Sequence, residues 1–295
     1  MLLGKHDVIP VISKKHILFN DTALAVHVPY NDENDAIASH TISTGQSAGW
    51  IWDIGLPSRR GVGHVFSSAH TTVEKAEKEL SDYIRPTLGK KADEISIRKI
   101  PIEPGHRKIF WHKNCVAVGL SAGFLEPLEA SALVLVELSA AMISEQLPAN
   151  RDVMPIVAKR FNDKFLYRWD RIVDFLKLHY ILTKRTDTQY WRDNCLVESI
   201  PEDLQTLLKL WRFESPWQLD FDHADEVFPS ASYQYELYGM GFETSARHTT
   251  RRSDNLDLAQ MTFKKNAQLT QKLLAGLPNN RELINKIKQY GLQKI

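Results

Sequence analysis

Residues 114–147, NCVAVGLSAGFLEPLEASALVLVELSAAMISEQL, decide how this chain is read. The run Cys115–Leu120 is almost wholly apolar, which suits a parallel-type strand buried on both faces. A turn bracketed by Gly119 and Gly123 follows, and the apolar stretch from Ser131 onward predicts a long helix. A helix N-terminus exposes N–H groups that lack intrahelical acceptors and carries about half a positive charge. The backbone of Ser131, Ala132 and Leu133 can therefore hold an anion without any Lys or Arg. Glu126 and Glu129 stand just before the helix, where its dipole favours their ionised form and Pro127 stiffens the turn between them. On spacing alone, acids at this place are most often helix caps.

Upstream, ILFNDTALAVHVPY, IASHTIST, GWIWDI and VGHVFSS run from Ile17 to Ser68 as short alternating or apolar segments separated by turn residues. They predict an antiparallel meander. TTVEKAEKELSDYI (71–84) places Val73, Ala76, Leu80, Tyr83 and Ile84 on one helical face, which should lie on that sheet. Short strands are expected at 95–102 and 109–112. Downstream of Ala149 the pattern turns helical, over 152–184, 203–212, 230–239, 255–275 and 280–293. The expected fold is α+β. A β-rich substrate region spans 1–113, a strand-loop-helix that completes a ligand site spans 114–150, and a helical region spans 151–295.

Composition narrows the function. Lys and Arg number 37 against 36 Asp and Glu, so no global positive field favours nucleic acid or an anionic membrane surface. No apolar stretch approaches the roughly 20 residues of a membrane helix, and the N-terminal MLLGKHDVIPVISKK makes a poor signal peptide. The two cysteines form neither a CxxC pattern nor a disulfide framework, so a cytoplasmic location is expected. The eleven histidines include no H-E-x-x-H, and no metal site is expected. Ser121 lacks the G-x-S-x-G context of a nucleophile elbow.

GLSAGFLEPLEASAL (119–133) resembles the signature of the flavin-dependent tryptophan halogenases, a glycine-rich turn followed by Glu-Pro-Leu-Glu. Gly49-Trp50-Ile51-Trp52-Asp53-Ile54 resembles the family's W-x-W-x-I-P motif, with Gly55 where the motif has proline. IASHTIST, LPSRRGVGHVFSS and YRWDRIVDFLKLHY are also similar to family sequence, so the resemblance covers essentially the whole chain.

The resemblance implies an enzyme that uses reduced FAD, oxygen and chloride or bromide to make hypohalous acid, which halogenates an electron-rich, indole-like arene. The reduced FAD would come from a separate flavin reductase, a transient partner. By motif position Glu129 corresponds to the family's catalytic glutamate, which polarises the halogenating species or takes the proton lost by the arene. Ser131 and Ala132 correspond to the positions whose amides hold the halide, in agreement with the helix-terminus argument. Leu120 and Leu133 match residues that line the flavin ring, and Gly119 and Gly123 would let backbone approach it. Trp50 and Trp52, two apart on a strand, should face one side and shield substrate from the flavin; an aromatic core pair is the equally weighted alternative.

The sequence holds no G-x-G-x-x-G opening a helix, and GVGHVF (61–66) reads as a turn. The FAD pyrophosphate cradle and the family's catalytic lysine are expected in a region upstream, because Met1–His6 resembles an interior stretch of the family. The chain is therefore expected to be a truncated halogenase whose activity in isolation is doubtful. A related flavin monooxygenase, an inactive arene-binding module and a site completed by a second polypeptide remain alternatives, and a homodimer stays open. The family's Tyr-Tyr substrate clamp is not found, since Tyr233, Tyr235 and Tyr238 are not adjacent, so free tryptophan is not assigned as substrate. Phe165, Tyr167, Trp169, Phe175, Tyr180 and Tyr190-Trp191 are expected in the core.

Overall fold

The computed structural model describes residues 9–222, 226–245 and 255–292, so the Met1–His6 stretch lies outside the described residues. The meander predicted upstream is a five-stranded antiparallel sheet. It comprises β2 (Thr22–Pro29), β3 (Ile42–Gly45), β4 (Gly49–Gly55), β5 (Arg59–Phe66) and β6 (Arg98–Pro101), ordered β3-β4-β5-β2-β6. β1 is the short strand Val11–Ser13. Alternation sorts the side chains. Leu24, Val26, Ile51, Val62 and Phe66 form one apolar face and pack on Ala76, Leu80 and Ile84 of α1 (Val73–Leu88). Thr72 caps that helix by accepting from the Lys75 amide at 3.3 Å. Ala23, Trp50 and Val65 face the other way.

GVGHVF (61–66) is not a turn but the heart of β5. Gly63 is paired with Trp52, and a β-carbon there would sit 2.1 Å from the Trp52 ring, so the glycine makes room for the indole.

A second sheet joins β1, β7 (Gly105–Arg107) and β10 (Gly123–Phe124) in the order β1-β7-β10. The segment expected to be a buried parallel strand differs. Only Cys115–Val116 (β9) is extended, pairing antiparallel with β8 (Trp111–His112), and both of its residues are half-buried. Gly119 then adopts φ 62° and turns the chain. The apolar residues of this run serve a core and a cavity wall rather than a sheet interior.

The helices are α2 (Ser131–Glu145), α3 (Met154–Ile181), α4 (Gln189–Asn194), α5 (Glu202–Trp211), α6 (Ser230–Gly239), α7 (Leu256–Gly276) and α8 (Asn280–Tyr290); all fall where the sequence pattern places them except the six-residue α4, which that pattern does not include. α3 is the spine. Its Phe161, Phe165, Trp169, Ile172 and Leu176 share a core with Leu18, Phe110, Leu125 and Leu135. Its Phe175 and Leu178 meet Leu204, Trp211, Tyr233 and Leu237. At its end Tyr180 joins Tyr190, Trp191 and Trp50 against the large sheet. Thus the aromatic residues expected in the core are there, except that Tyr167 is half-buried and donates to Glu226. α7 buries none of its residues. α8 is tied back to the first sheet: the Arg281 guanidinium donates to the carbonyls of Asp35 (2.9 Å) and Pro57 (2.6 Å) and stacks 4.9 Å from the Tyr30 ring.

Candidate active site

The two acids of Glu-Pro-Leu-Glu have opposite surroundings, and backbone strain separates them. Glu129 (φ 61°) and Ala130 (φ 49°) are both left-handed, a conformation disfavoured for residues with a β-carbon. This kink falls within the 3-10 turn Leu128–Ala130, immediately before α2, so the chain enters the helix with Glu126 turned inward and Glu129 turned toward solvent.

Glu126 is 4 % exposed. Its Oε2 accepts from Asn20 Nδ2 (2.7 Å), Trp50 Nε1 (3.1 Å) and the Tyr180 hydroxyl (2.5 Å), while Tyr190 donates to Asn20 Oδ1 at 3.0 Å. Oε1 is buried without a partner. Burial raises the carboxyl above its ordinary range despite those three donors.

The Glu129 side chain keeps 40 % of its surface, and its Oε1 lies 3.3 Å from His179 Nε2. That hydrogen bond holds the carboxyl below the usual glutamate value. The His179 side chain is 17 % exposed; its Nδ1 lies 2.9 Å from the Phe175 carbonyl, and its Nε2 also faces Glu236 of α6 at 3.6 Å. Burial opposes its charge, but the Glu129 hydrogen bond, the charge of Glu236 and the Phe175 carbonyl outweigh it, so the imidazole is raised above its ordinary value.

A cavity of about 390 Å³ opens on the Glu126 side of this segment; Glu126 and Ala130 line it, whereas Glu129 and His179 do not. Gly119, Leu120, Gly123, Glu126, Ser131, Ala132 and Leu133 are among its lining residues. α2 begins at Ser131 as the apolar pattern predicts, so its first-turn N–H groups border the cavity. Leu120 and Leu133 are 80 % and 79 % exposed, an unusual placement for two leucines beside one opening. The tight approach of Gly123 is internal: a β-carbon there would meet the Gly105 carbonyl at 2.5 Å across the β7–β10 pair.

Trp50 and Trp52 do share a face, with ring centroids 6.3 Å apart in an edge-on arrangement, but neither lines the cavity. Trp50 is buried with its indole N–H committed to Glu126, while Trp52 is half-buried. Sequence reasoning missed Asn20, Tyr180 and His179. The signal was present in LKLHY (176–180), where a histidine and a tyrosine end an otherwise apolar helix face. Among the described residues no cluster of His, Cys, Asp and Glu could hold a metal ion, and no helix is long and apolar enough to cross a membrane.

The tryptophan halogenase family model matches residues 3–255, and the chain belongs to that family. It is 31% identical to tryptophan 6-halogenase SttH of Streptomyces toxytricini, over 82% of this chain and 45% of that protein. It is 29% identical to 7-chloro-L-tryptophan 6-halogenase KtzR of Kutzneria sp. (strain 744), over 98% of this chain and 55% of the relative. In structure it is similar to the tryptophan halogenase of Shewanella frigidimarina NCIMB 400, with TM-score 0.96 and 49% identity over 100% of this chain and 56% of that one. BrvH, a flavin-dependent halogenase from Brevundimonas sp. BAL3, matches at TM-score 0.80 and 32% identity, over 94% of this chain and 54% of its own. The chain spans about half the length of the relatives it matches. The mixed α+β architecture expected from sequence is the one these structures share.

Proposed function

We propose that this chain forms the halide- and arene-facing part of a flavin-dependent halogenase site, acting on an electron-rich, indole-like aromatic. The observation that carries this reading is the placement of Glu129: an ionised, half-exposed carboxylate on a strained turn, directly before a helix N-terminus that opens onto an apolar cavity.

The residues present fit the groups the reaction needs. Leu120 and Leu133 offer apolar surface beside the cavity for one side of a planar ring system, and Gly119 adds backbone without a side chain. The Ser131 and Ala132 amides present N–H donors and the positive end of α2 to a halide. When bound, reduced FAD supplies with oxygen and halide the hypohalous oxidant, the FAD being delivered by a flavin reductase. At the arene, the carbon forms its bond to halogen as the oxygen–halogen bond of the hypohalous acid breaks and hydroxide leaves; the ring then sheds a proton, which ends on the hydroxide as water. Glu129 accepts that proton from the ring, which restores aromaticity. Trp50 supports the site from behind: its indole N–H holds Glu126, which lines the cavity, and its ring packs in the core against the large sheet.

The test is direct. The purified chain and, beside it, a version extended to the length of its relatives are titrated with FAD by fluorescence, then incubated with FAD, a flavin reductase and its nicotinamide, bromide and indole, with products of the extended protein read by mass spectrometry. Bromoindole that disappears in Glu129→Gln, with FAD affinity unchanged, is the expected result. Hydroxyindole, or FAD binding without brominated product, sinks the halogenase reading.

A further inference from the structure

His179 has oxygen atoms opposite both ring nitrogens, a geometry that the doubly protonated ring satisfies when its two neighbours are carboxylates. Its Nδ1 lies 2.9 Å from the Phe175 carbonyl oxygen, an acceptor, so Nδ1 must carry hydrogen. Its Nε2 faces two more acceptors, Glu129 Oε1 at 3.3 Å and Glu236 Oε2 at 3.6 Å, so Nε2 must carry hydrogen as well. Either neutral tautomer would point a lone pair at an oxygen. The ring also stands edge-on to Phe175, with centroids 5.1 Å apart and planes at 89°, which locks its orientation. The charged and titratable groups facing it are Glu129 and, further off, Glu126 from the segment before α2, together with Glu236 from α6.

We propose that His179 is a positioning residue for Glu129, an imidazolium clamped between Glu129 and Glu236 that fixes the Glu129 carboxylate in its ionised form. This deepens the functional reading above and rests on it where Glu129 is the proton acceptor. The second carboxylate gives the arrangement its use. When Glu129 takes a proton from the arene, His179 loses one counter-ion but keeps Glu236, so it stays charged. A persistent positive charge 3.3 Å away then drives the proton off Glu129 to water and resets the acceptor for the next turnover. α6 thereby takes part in proton handling, although Glu236 itself touches neither substrate nor halide in this scheme.

The clamp is tested on the full chain, labelled with ¹⁵N, by following the imidazole nitrogens in long-range proton–nitrogen spectra from pH 5.5 to 9. The His179 signals are assigned from their loss in His179→Gln. In the wild type His179 should stay doubly protonated past its ordinary midpoint, and Glu236→Gln and Glu129→Gln should each lower that midpoint by about one pH unit. Both carboxylates are partly exposed and both variants keep side-chain shape, so each is an independent arm if the other misfolds. A His179 that is neutral at pH 6, or a midpoint that neither variant moves, overturns the clamp.

In the brominating assay, Glu236→Gln should leave the KM for indole unchanged while the alkaline limb of the kcat profile moves down by the same unit. A limb that stays in place overturns the clamp while the halogenase reading stands. If the protein extended to the length of its relatives binds FAD but brominates nothing, the functional reading falls, and the nitrogen titration still decides the clamp alone.

Discussion

Replacing Glu126 by alanine tests whether the buried carboxylate organises the centre of the molecule. Three donors converge on its Oε2, from Asn20, Trp50 and Tyr180, and their residues are 1 %, 6 % and 4 % exposed. Water cannot readily replace the acceptor, and each stranded donor costs about 1–3 kcal/mol. Allowing for relaxation, Glu126→Ala should lose about 4 kcal/mol. Glu126→Gln keeps an acceptor for the three donors but sets an amide N–H where Oε1 is buried without a partner, so it should lose about 1–3 kcal/mol, less than alanine. Trp50→Phe alone should cost about 1 kcal/mol, the loss of one buried hydrogen bond, and much less once Glu126 is alanine. Urea unfolding followed by circular dichroism at the helix band gives all four values. An alanine variant within 1 kcal/mol of wild type, or a Trp50→Phe cost unaffected by the Glu126 background, would refute the hub.

Two further perturbations probe strain and burial. Lys177 is fully buried, with its ammonium on the Ile17 carbonyl and Asn194, and burial lowers it to about 7. The unfolded chain therefore holds a proton between pH 7 and the ordinary lysine value that the folded chain lacks, so this group makes stability rise with pH across that window. The difference in unfolding free energy between wild type and Lys177→Met should move by about 2 kcal/mol in favour of wild type from pH 7 to 9; a pH-independent difference refutes the assignment. Ala130→Gly relieves the left-handed strain ahead of α2 and should stabilise by about 1 kcal/mol in thermal melts, whereas a loss would mean that the alanine methyl packs usefully.

The strongly periodic parts were legible in the sequence. Alternation puts Leu24 and Phe66 on the α1 side and Ala23 and Val65 on the opposite face, and the stripe of Ala76, Leu80 and Ile84 marks the helix that covers the sheet. The start of α2 at Ser131 followed from the apolar pattern. Other features were not local. Cys115–Leu120 is apolar because it borders a core and a cavity, and an apolar run alone cannot distinguish that from a sheet interior. In GVGHVF a pair of glycines suggested a turn, but one of them yields space to Trp52 on the neighbouring strand. Glu126 and Glu129 look equivalent in sequence; their separation comes from two left-handed residues, and their partners Tyr180 and His179 lie some fifty positions away. The family resemblance supplied the choice of Glu129, and the histidine that faces it emerged only from the packing of α3.

α7 is a single helical run of 21 residues without a buried side chain, followed at once by the Arg281 tie to the first sheet. A helix of that length reaches about 31 Å and advances about 100° of rotation per residue. The tie belongs to α8, beyond the break at residues 277–279, so it anchors α8 to the sheet while none of the α7 side chains is held in a core. Along α7 no core volume limits which side chain can stand at a position, and helix propensity is the demand that the fold makes on its sequence.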